Sequence, residues 1–358
     1  MARGSRRRNG GAGRWLLIGV AVVAAIVAAS AVVVLKGGND KGAESTGPTT
    51  GLSTIFAPYV YMTLAGRPTL TQIASKTGAN ALHLAFAVPK SNDSCSLAWD
   101  GTTALNTYAN EIKAAVNDGI EVIVSSGGAS KTEVAQVCGD TEDTQAQLQA
   151  VLDLGVRYLD FDVEDVEGND RVSDAEANKA RAEAIVALQK KYSDLKVSFT
   201  LAAAAPTSAT AAAGVASNAP WVAAIDAGVT IDRINLMTMN YGGDVAGNDM
   251  GAAATAAATG LHSQLQSLQG VESDEAWSMV GITPMIGVND VKGETFTLAN
   301  AKTLADFVTK NGVGMLSYWA VGRDRKCGAD VATQPSATCS GVSQSDYGFA
   351  SVFSAVAG

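Results

Sequence analysis

Eight short apolar runs, separated by helical stretches, constrain this chain more than any other feature. They are PYVYMTL (58–64), ALHLAFAV (81–88), EVIVSSGG (121–128), RYLDFDVE (157–164), KVSFTLAA (196–203), RINLMTMNY (233–241), SMVGITPMIG (278–287) and VGMLSYWAV (313–321). Between them lie helix-like segments such as ALNTYANEIKAAVNDG, TQAQLQAVLDLG, DAEANKARAEAIVALQKKY and TLADFVTKNG, several stopping at Gly. Apolar strands that alternate with helices imply a parallel sheet covered on both faces. Eight such units in about 300 residues predict an α/β fold of the (β/α)8 TIM-barrel type. An open doubly wound sheet fits less well, because no Gly-rich phosphate loop follows the first strand. The Ala-rich stretches 202–216 and 252–259 read as the segment after strand five and an insert after strand six.

The fourth run carries the sharpest chemical signal. In YLDFDVED (158–165), Asp160, Asp162 and Glu164 alternate with Leu159, Phe161 and Val163. On a strand, the apolar set turns to the helix layer and the three acids turn into the barrel. Three carboxyls in one confined space cannot all ionise cheaply, so a proton is shared or retained among them. A carboxyl kept protonated near neutral pH can act as a general acid, and Glu164, the outermost, reaches furthest toward a substrate. A metal site would need oxygen ligands from several elements, so no metal is expected. Ordinary glycosidases place two carboxylates on opposite sides of the scissile bond, about 5–9 Å apart. Here all the acids come from one strand, which points to a substrate that supplies its own nucleophile, as a 2-acetamido group can.

Composition narrows the setting. A net charge of −9 argues against a nucleic-acid partner and suits a neutral or cationic ligand. Only two histidines occur, His83 in an apolar run and His262 after an Ala-rich one, which disfavours His-based metal or nucleophile chemistry. Residues 1–14 form a basic tail, and 15–35 are an uncharged apolar run long enough to span a bilayer as a transmembrane anchor or to act as a signal segment. Residues 36–53 read as a flexible linker, and 54–358 as the barrel domain. The expected location is therefore extracellular or at the cell surface, with the membrane as a partner if the apolar run stays uncleaved. Four cysteines allow three pairings; Cys327–Cys339 closes a short loop, which leaves Cys95–Cys138.

With these residues in hand, the chain resembles glycoside hydrolase family 18, the chitinases and their relatives. Asp160-x-Asp162-x-Glu164 resembles the latter part of that family's D-x-x-D-x-D-x-E signature, and SSGG (125–128) its strand-three S-x-G-G. MTMNY (237–241) resembles the strand-six Met-x-Tyr, and SYWAVGRD (317–324) the strand-eight segment with the tryptophan floor. The tail CSGVSQSDYGFASVF is similar to bacterial chitinases of the chitinase D-like group. The likeness runs over roughly residues 55–355. The signature's first Asp is replaced by Arg157; that outer position is not the acid, so retained activity is expected.

The resemblance implies specific roles. Glu164 protonates the glycosidic oxygen, Asp162 orients the N-acetyl group and stabilises an oxazolinium ion, and Asp160 shares a proton with Asp162. Tyr241 bonds the acetamido carbonyl, Met239 lines the same pocket, and Trp319 stacks beneath the sugar. Tyr59, Tyr61 and Asn289 are further sugar-contact candidates. No cofactor is implied. The implied activity is that of an exported chitinase that cleaves β-1,4-linked N-acetylglucosamine polymers or oligomers with retention. Two alternatives use the same site: an endo-β-N-acetylglucosaminidase acting on N-glycans, and a non-catalytic chitin-binding lectin, which the presence of Glu164 disfavours.

Overall fold

In the computed structural model, residues 54–165, 170–206, 212–242, 245, 249–328 and 334–357 are described. The basic tail, the apolar run 15–35 and the linker 36–53 lie outside them. Among the described residues, no helix is long and apolar enough to cross a membrane.

The eight expected strands form, and all their pairings are parallel. We label them β1 (Ile55–Phe56 and Tyr59–Tyr61), β2 (Ala81–Ala85), β3 (Glu121–Gly127) and β4 (Tyr158–Asp162). They continue as β5 (Lys196–Ala202), β6 (Arg233–Met237), β7 (Val280–Thr283) and β8 (Met315–Leu316). Strand β1 closes the barrel. Its first half pairs with β8 (Ile55↔Met315) and its second half with β2 (Tyr59↔His83). The break falls at Pro58, which has no N–H for the ladder. Closure removes both sheet edges, which otherwise expose unpaired backbone.

The strands are shorter than the apolar runs predicted. Ladder pairing ends where the chain turns into the loops at the C-terminal rim, so Met239 leaves the sheet while lining its mouth, and Trp319 keeps only a single bridge to Met285. The Ala-rich stretch 252–259 belongs to a helix, Met250–Gln269. Its small side chains admit another segment at backbone range: Ala213 N–H and Gly214 N–H donate to the carbonyls of Ala256 and Ala257 at 3.3 and 3.2 Å. A Cβ on Gly260 would sit 2.2 Å from the Gly214 nitrogen.

Two insertions were not legible as such. After β2, residues Ala87–Ser91, Ser94–Trp99 and Thr103–Ala104 form a three-stranded antiparallel sheet. After β7, Gly287–Val288 pairs with Thr295–Phe296 as a hairpin. Both disulfides form as expected. Cys95–Cys138 (Cα–Cα 4.8 Å) ties the first insertion to the helix Val134–Cys138, and Cys327–Cys339 (5.1 Å) closes the loop after β8.

Candidate active site

The register around β4 stacks the polar side chains in layers. Asp160 lies beside Ser125 of β3 and Ser198 of β5, and Asp162 lies beside Gly127 and Thr200. Asp160 is fully buried. Its carboxylate accepts from Ser125 Oγ (2.7 Å), Ser198 Oγ (2.6 Å) and Thr200 Oγ1 (2.9 Å to each oxygen). A relay extends behind it: Thr283 Oγ1 donates to Asn235 Oδ1 (2.8 Å), and Asn235 Nδ2 donates to Thr200 Oγ1 (3.0 Å). Four strands thus hold one carboxylate, and hydroxyl donors of this kind compensate a buried charge. The hydrogen bonds that Asp160 accepts all come from hydroxyls, and Glu164 is the larger of the two neighbouring charges acting on Asp162.

Asp162 is 4% exposed, and its Oδ1 has no partner among the described residues. Burial, then the neighbouring charges of Glu164 and Asp160, push its carboxyl well above the usual carboxylate range. Burial likewise lifts Glu164 to about 7, against the opposing pull of Arg171. Two adjacent carboxyls in a dry pocket each oppose the other's ionisation. Arg171, 4% exposed, acts on Glu164 by its charge while donating Nη1 to the Gly128 carbonyl at 3.0 Å.

The SSGG segment has a concrete job. At Gly127 (φ +117°) a Cβ would lie 2.0 Å from the Asp162 carbonyl oxygen. At Gly128 (φ +86°) it would lie 2.8 Å from the Phe86 ring. Gly128 N–H donates to Asp162 O at 2.9 Å. The two glycines let β3 run against the acid-bearing end of β4 and against the pocket wall together.

Above the acids opens a cavity of about 310 Å³, whose lining includes Asp162, Glu164, Tyr59, Tyr61, Met239 and Trp319. Trp319 stacks on Phe86 (centroids 5.6 Å apart, 18° between planes) and meets Tyr59 edge-on at 5.7 Å. Tyr59 in turn stacks on His83 at 4.5 Å, and burial holds His83 below its ordinary pKa, so it is a neutral core residue. The outcome is a rigid aromatic floor facing two carboxyls, which suits a sugar ring with an apolar face and polar edges.

Two candidates do not reach this cavity. Tyr241 is absent from its lining; its hydroxyl is buried without a partner among the described residues, and its ring packs against the main core. The cause is Asn240, whose left-handed backbone (φ +52°) turns Met239 and its own side chain to the cavity and Tyr241 away. Asn289, 2% exposed, spends its amide on the carbonyls of Met285 (2.8 Å) and Gly287 (3.0 Å). Its neighbour Asp290 lines the cavity in its place. Arg157 is no threat to the site. It lies at the opposite end of β4, bonded to the Val156 carbonyl (2.7 Å) and packed over the Tyr192 ring (4.5 Å).

Sequence reasoning missed Phe86, Asp100, Arg171 and Asp290. Asp100 belongs to a turn of the inserted sheet and accepts from Tyr61 Oη at 2.8 Å. Its Asp-Gly pair between apolar runs is a hairpin signal that could have been read. Arg171 follows β4 by a loop, and nothing local marks it.

A closed parallel barrel with an acidic pair and an aromatic floor at its C-terminal rim defines a glycosidase-type site. No family model matches the chain. It is 30% identical to active domain 2 of a thermostable chitinase from Pyrococcus furiosus, whose catalytic-site mutants were solved with chito-oligosaccharides. That likeness covers 85% of this chain and 94% of the other, with a TM-score of 0.74. It is 33% identical over 283 residues to an endochitinase of Metarhizium anisopliae, covering 75% of this chain and 52% of that protein. It is 32% identical over 292 residues to a probable bifunctional chitinase/lysozyme of Escherichia coli K12, covering 78% of this chain and 32% of that protein. The chain thus matches about half or less of the length of these curated relatives. It belongs to the chitinases of glycoside hydrolase family 18.

Proposed function

We propose that the protein is a chitinase that hydrolyses β-1,4-linked N-acetylglucosamine chains by a retaining, substrate-assisted mechanism. One observation carries this reading: Glu164, lifted to about 7 by burial, lies with Asp162 in the lining of an aromatic-floored cavity, where it can keep its proton. Glu164 donates that proton to the glycosidic oxygen as the bond to C1 breaks. The substrate's own acetamido oxygen bonds C1 from the other face and closes an oxazolinium ring. Asp162, left as a carboxylate, bonds the amide N–H and balances the positive ring. Water then attacks C1 while Glu164 takes its proton, so the configuration is restored. Asp160, clamped by three hydroxyls, contributes a fixed negative potential beneath Asp162. The Pyrococcus relative's complexes with chito-oligosaccharides support the substrate class.

The deciding experiment replaces Glu164 with Gln, which keeps shape and removes the proton. Hydrolysis of an N-acetylglucosamine oligomer should fall at least about 10³-fold while oligomer binding persists. Unchanged hydrolysis would reject the mechanism. A wild-type protein that binds the oligomers without cleaving them would be a lectin instead.

Residues 15–35, with the Arg-rich flank before them, support export and single-pass anchoring or signal cleavage. The two disulfides fit an oxidising compartment. Sequencing the N-terminus of the exported protein distinguishes an anchored form from a cleaved one.

A further inference from the structure

The cavity is acidic beyond what the reaction needs. Besides Asp162 and Glu164, Asp100 and Asp290 line it, and among the described residues no basic side chain does. They come from different insertions, Asp100 from the sheet after β2 and Asp290 from the hairpin after β7. Around the barrel these strands fall on either side of β1 and β8, which carry the aromatic floor.

Each acid is oriented by one oxygen, and its other oxygen has no hydrogen-bond partner among the described residues. Asp100 Oδ2 accepts from Tyr61 Oη at 2.8 Å. Asp290 Oδ2 accepts from Asn240 Nδ2 at 3.1 Å, while Asn240 Oδ1 takes the backbone N–H groups of Asp290 (3.0 Å) and Val291 (3.2 Å). Neither forms an ion pair with a described residue. Arg323, which feels the charge of Asp290, spends its guanidinium on the carbonyls of Ile286, Val288 and Ser336, and Arg171 donates to the Gly128 carbonyl.

We infer that Asp100 and Asp290 make the cavity selective for chains that carry free amino sugars beside the reacting unit, that is, partly N-deacetylated chitin. The reacting sugar must keep its acetyl group, because that group is the nucleophile. Its neighbours need not, and a glucosamine ammonium beside an unpaired, pre-oriented carboxylate gains an ion pair that an acetamido group does not. The protein's net charge of −9 adds attraction at longer range. This inference rests on the proposed substrate-assisted mechanism.

The test is a digest of partly deacetylated chitosan of known composition, below the pKa of the sugar amine. Both new chain ends are sequenced by mass spectrometry. The new reducing end should be N-acetylglucosamine throughout. Glucosamine in the flanking positions should exceed its random frequency by about threefold, the size of a partly exposed ion pair. The excess should shrink toward random in D100N/D290N, and in wild type when salt is raised to about 1 M. It is a ratio within one digest, so a change in overall turnover does not enter it. Random flanking sugars in wild type, or an excess that survives both perturbations, overturns the inference and leaves the mechanism standing. Reducing ends that carry glucosamine, or intact N-acetylated oligomers, overturn the mechanism and the inference with it.

Discussion

Replacing Gly127 with Ala tests whether the strand-three glycine positions the acids. The new Cβ would meet the Asp162 carbonyl oxygen at 2.0 Å, and ordinary contact begins at 3.4 Å. The strand ends must therefore part by about 1.4 Å, and the obstacle is backbone, which has no rotamer to yield. The position also has φ +117°, where an L-residue adds strain of about 1–3 kcal/mol. Parting the strands strains the bond from Gly128 N–H to Asp162 O and shifts Asp162 and Glu164 against the aromatic floor. A misplacement of about 1 Å at a reacting centre costs roughly 10²-fold in rate. G127A should thus lose about two orders of magnitude in kcat on an N-acetylated oligomer, and melt several degrees lower. Stopped assays of product ends give kcat, and differential scanning calorimetry gives the stability loss. A variant with kcat within twofold of wild type and an unchanged melting temperature would refute the reasoning. The strand ends would then be more pliant than a closed barrel permits.

Glu164 must be protonated to act as the acid and its proton leaves near pH 7, so kcat/KM should fall as pH rises through about 7. Arg171 favours the ionised form of Glu164, so R171Q should move that alkaline limb upward; a shift downward in the pH profile would contradict the placement. T200V removes the donor that bridges both Asp160 oxygens and the acceptor for Asn235, which should cost about 1–3 kcal/mol in urea unfolding; an unchanged midpoint would show the relay to be dispensable. Removing Cys95–Cys138, a link between residues 43 apart in sequence, should cost up to about 4 kcal/mol and loosen the inserted sheet that carries Asp100, read by unfolding and by amide exchange over 87–104. Amide protection equal to wild type across that sheet would count against it.

Much of this molecule was legible because its signals are local. Apolar runs at strand length, helices stopped by Gly, and a period-two alternation in YLDFDVED report directly on burial, since each side chain's face is set by the backbone repeat. The sequence alone therefore determined the eight-strand barrel, the inward face of Asp160, Asp162 and Glu164, and Trp319 at the end of strand eight. What the tertiary structure decided depends on residues far apart in the chain. Asp160 meets Ser125, Ser198 and Thr200 only through the register of three strands, which fixes its carboxylate beneath Asp162. Tyr241 leaves the cavity because Asn240 adopts a left-handed turn held by a loop fifty residues away. Asp100, Asp290 and Arg171 come to the site on loops, whose course follows from what they pack against rather than from a repeat of their own. Local sequence thus settles which way a strand faces, and long-range packing settles which charges meet across the mouth of the barrel.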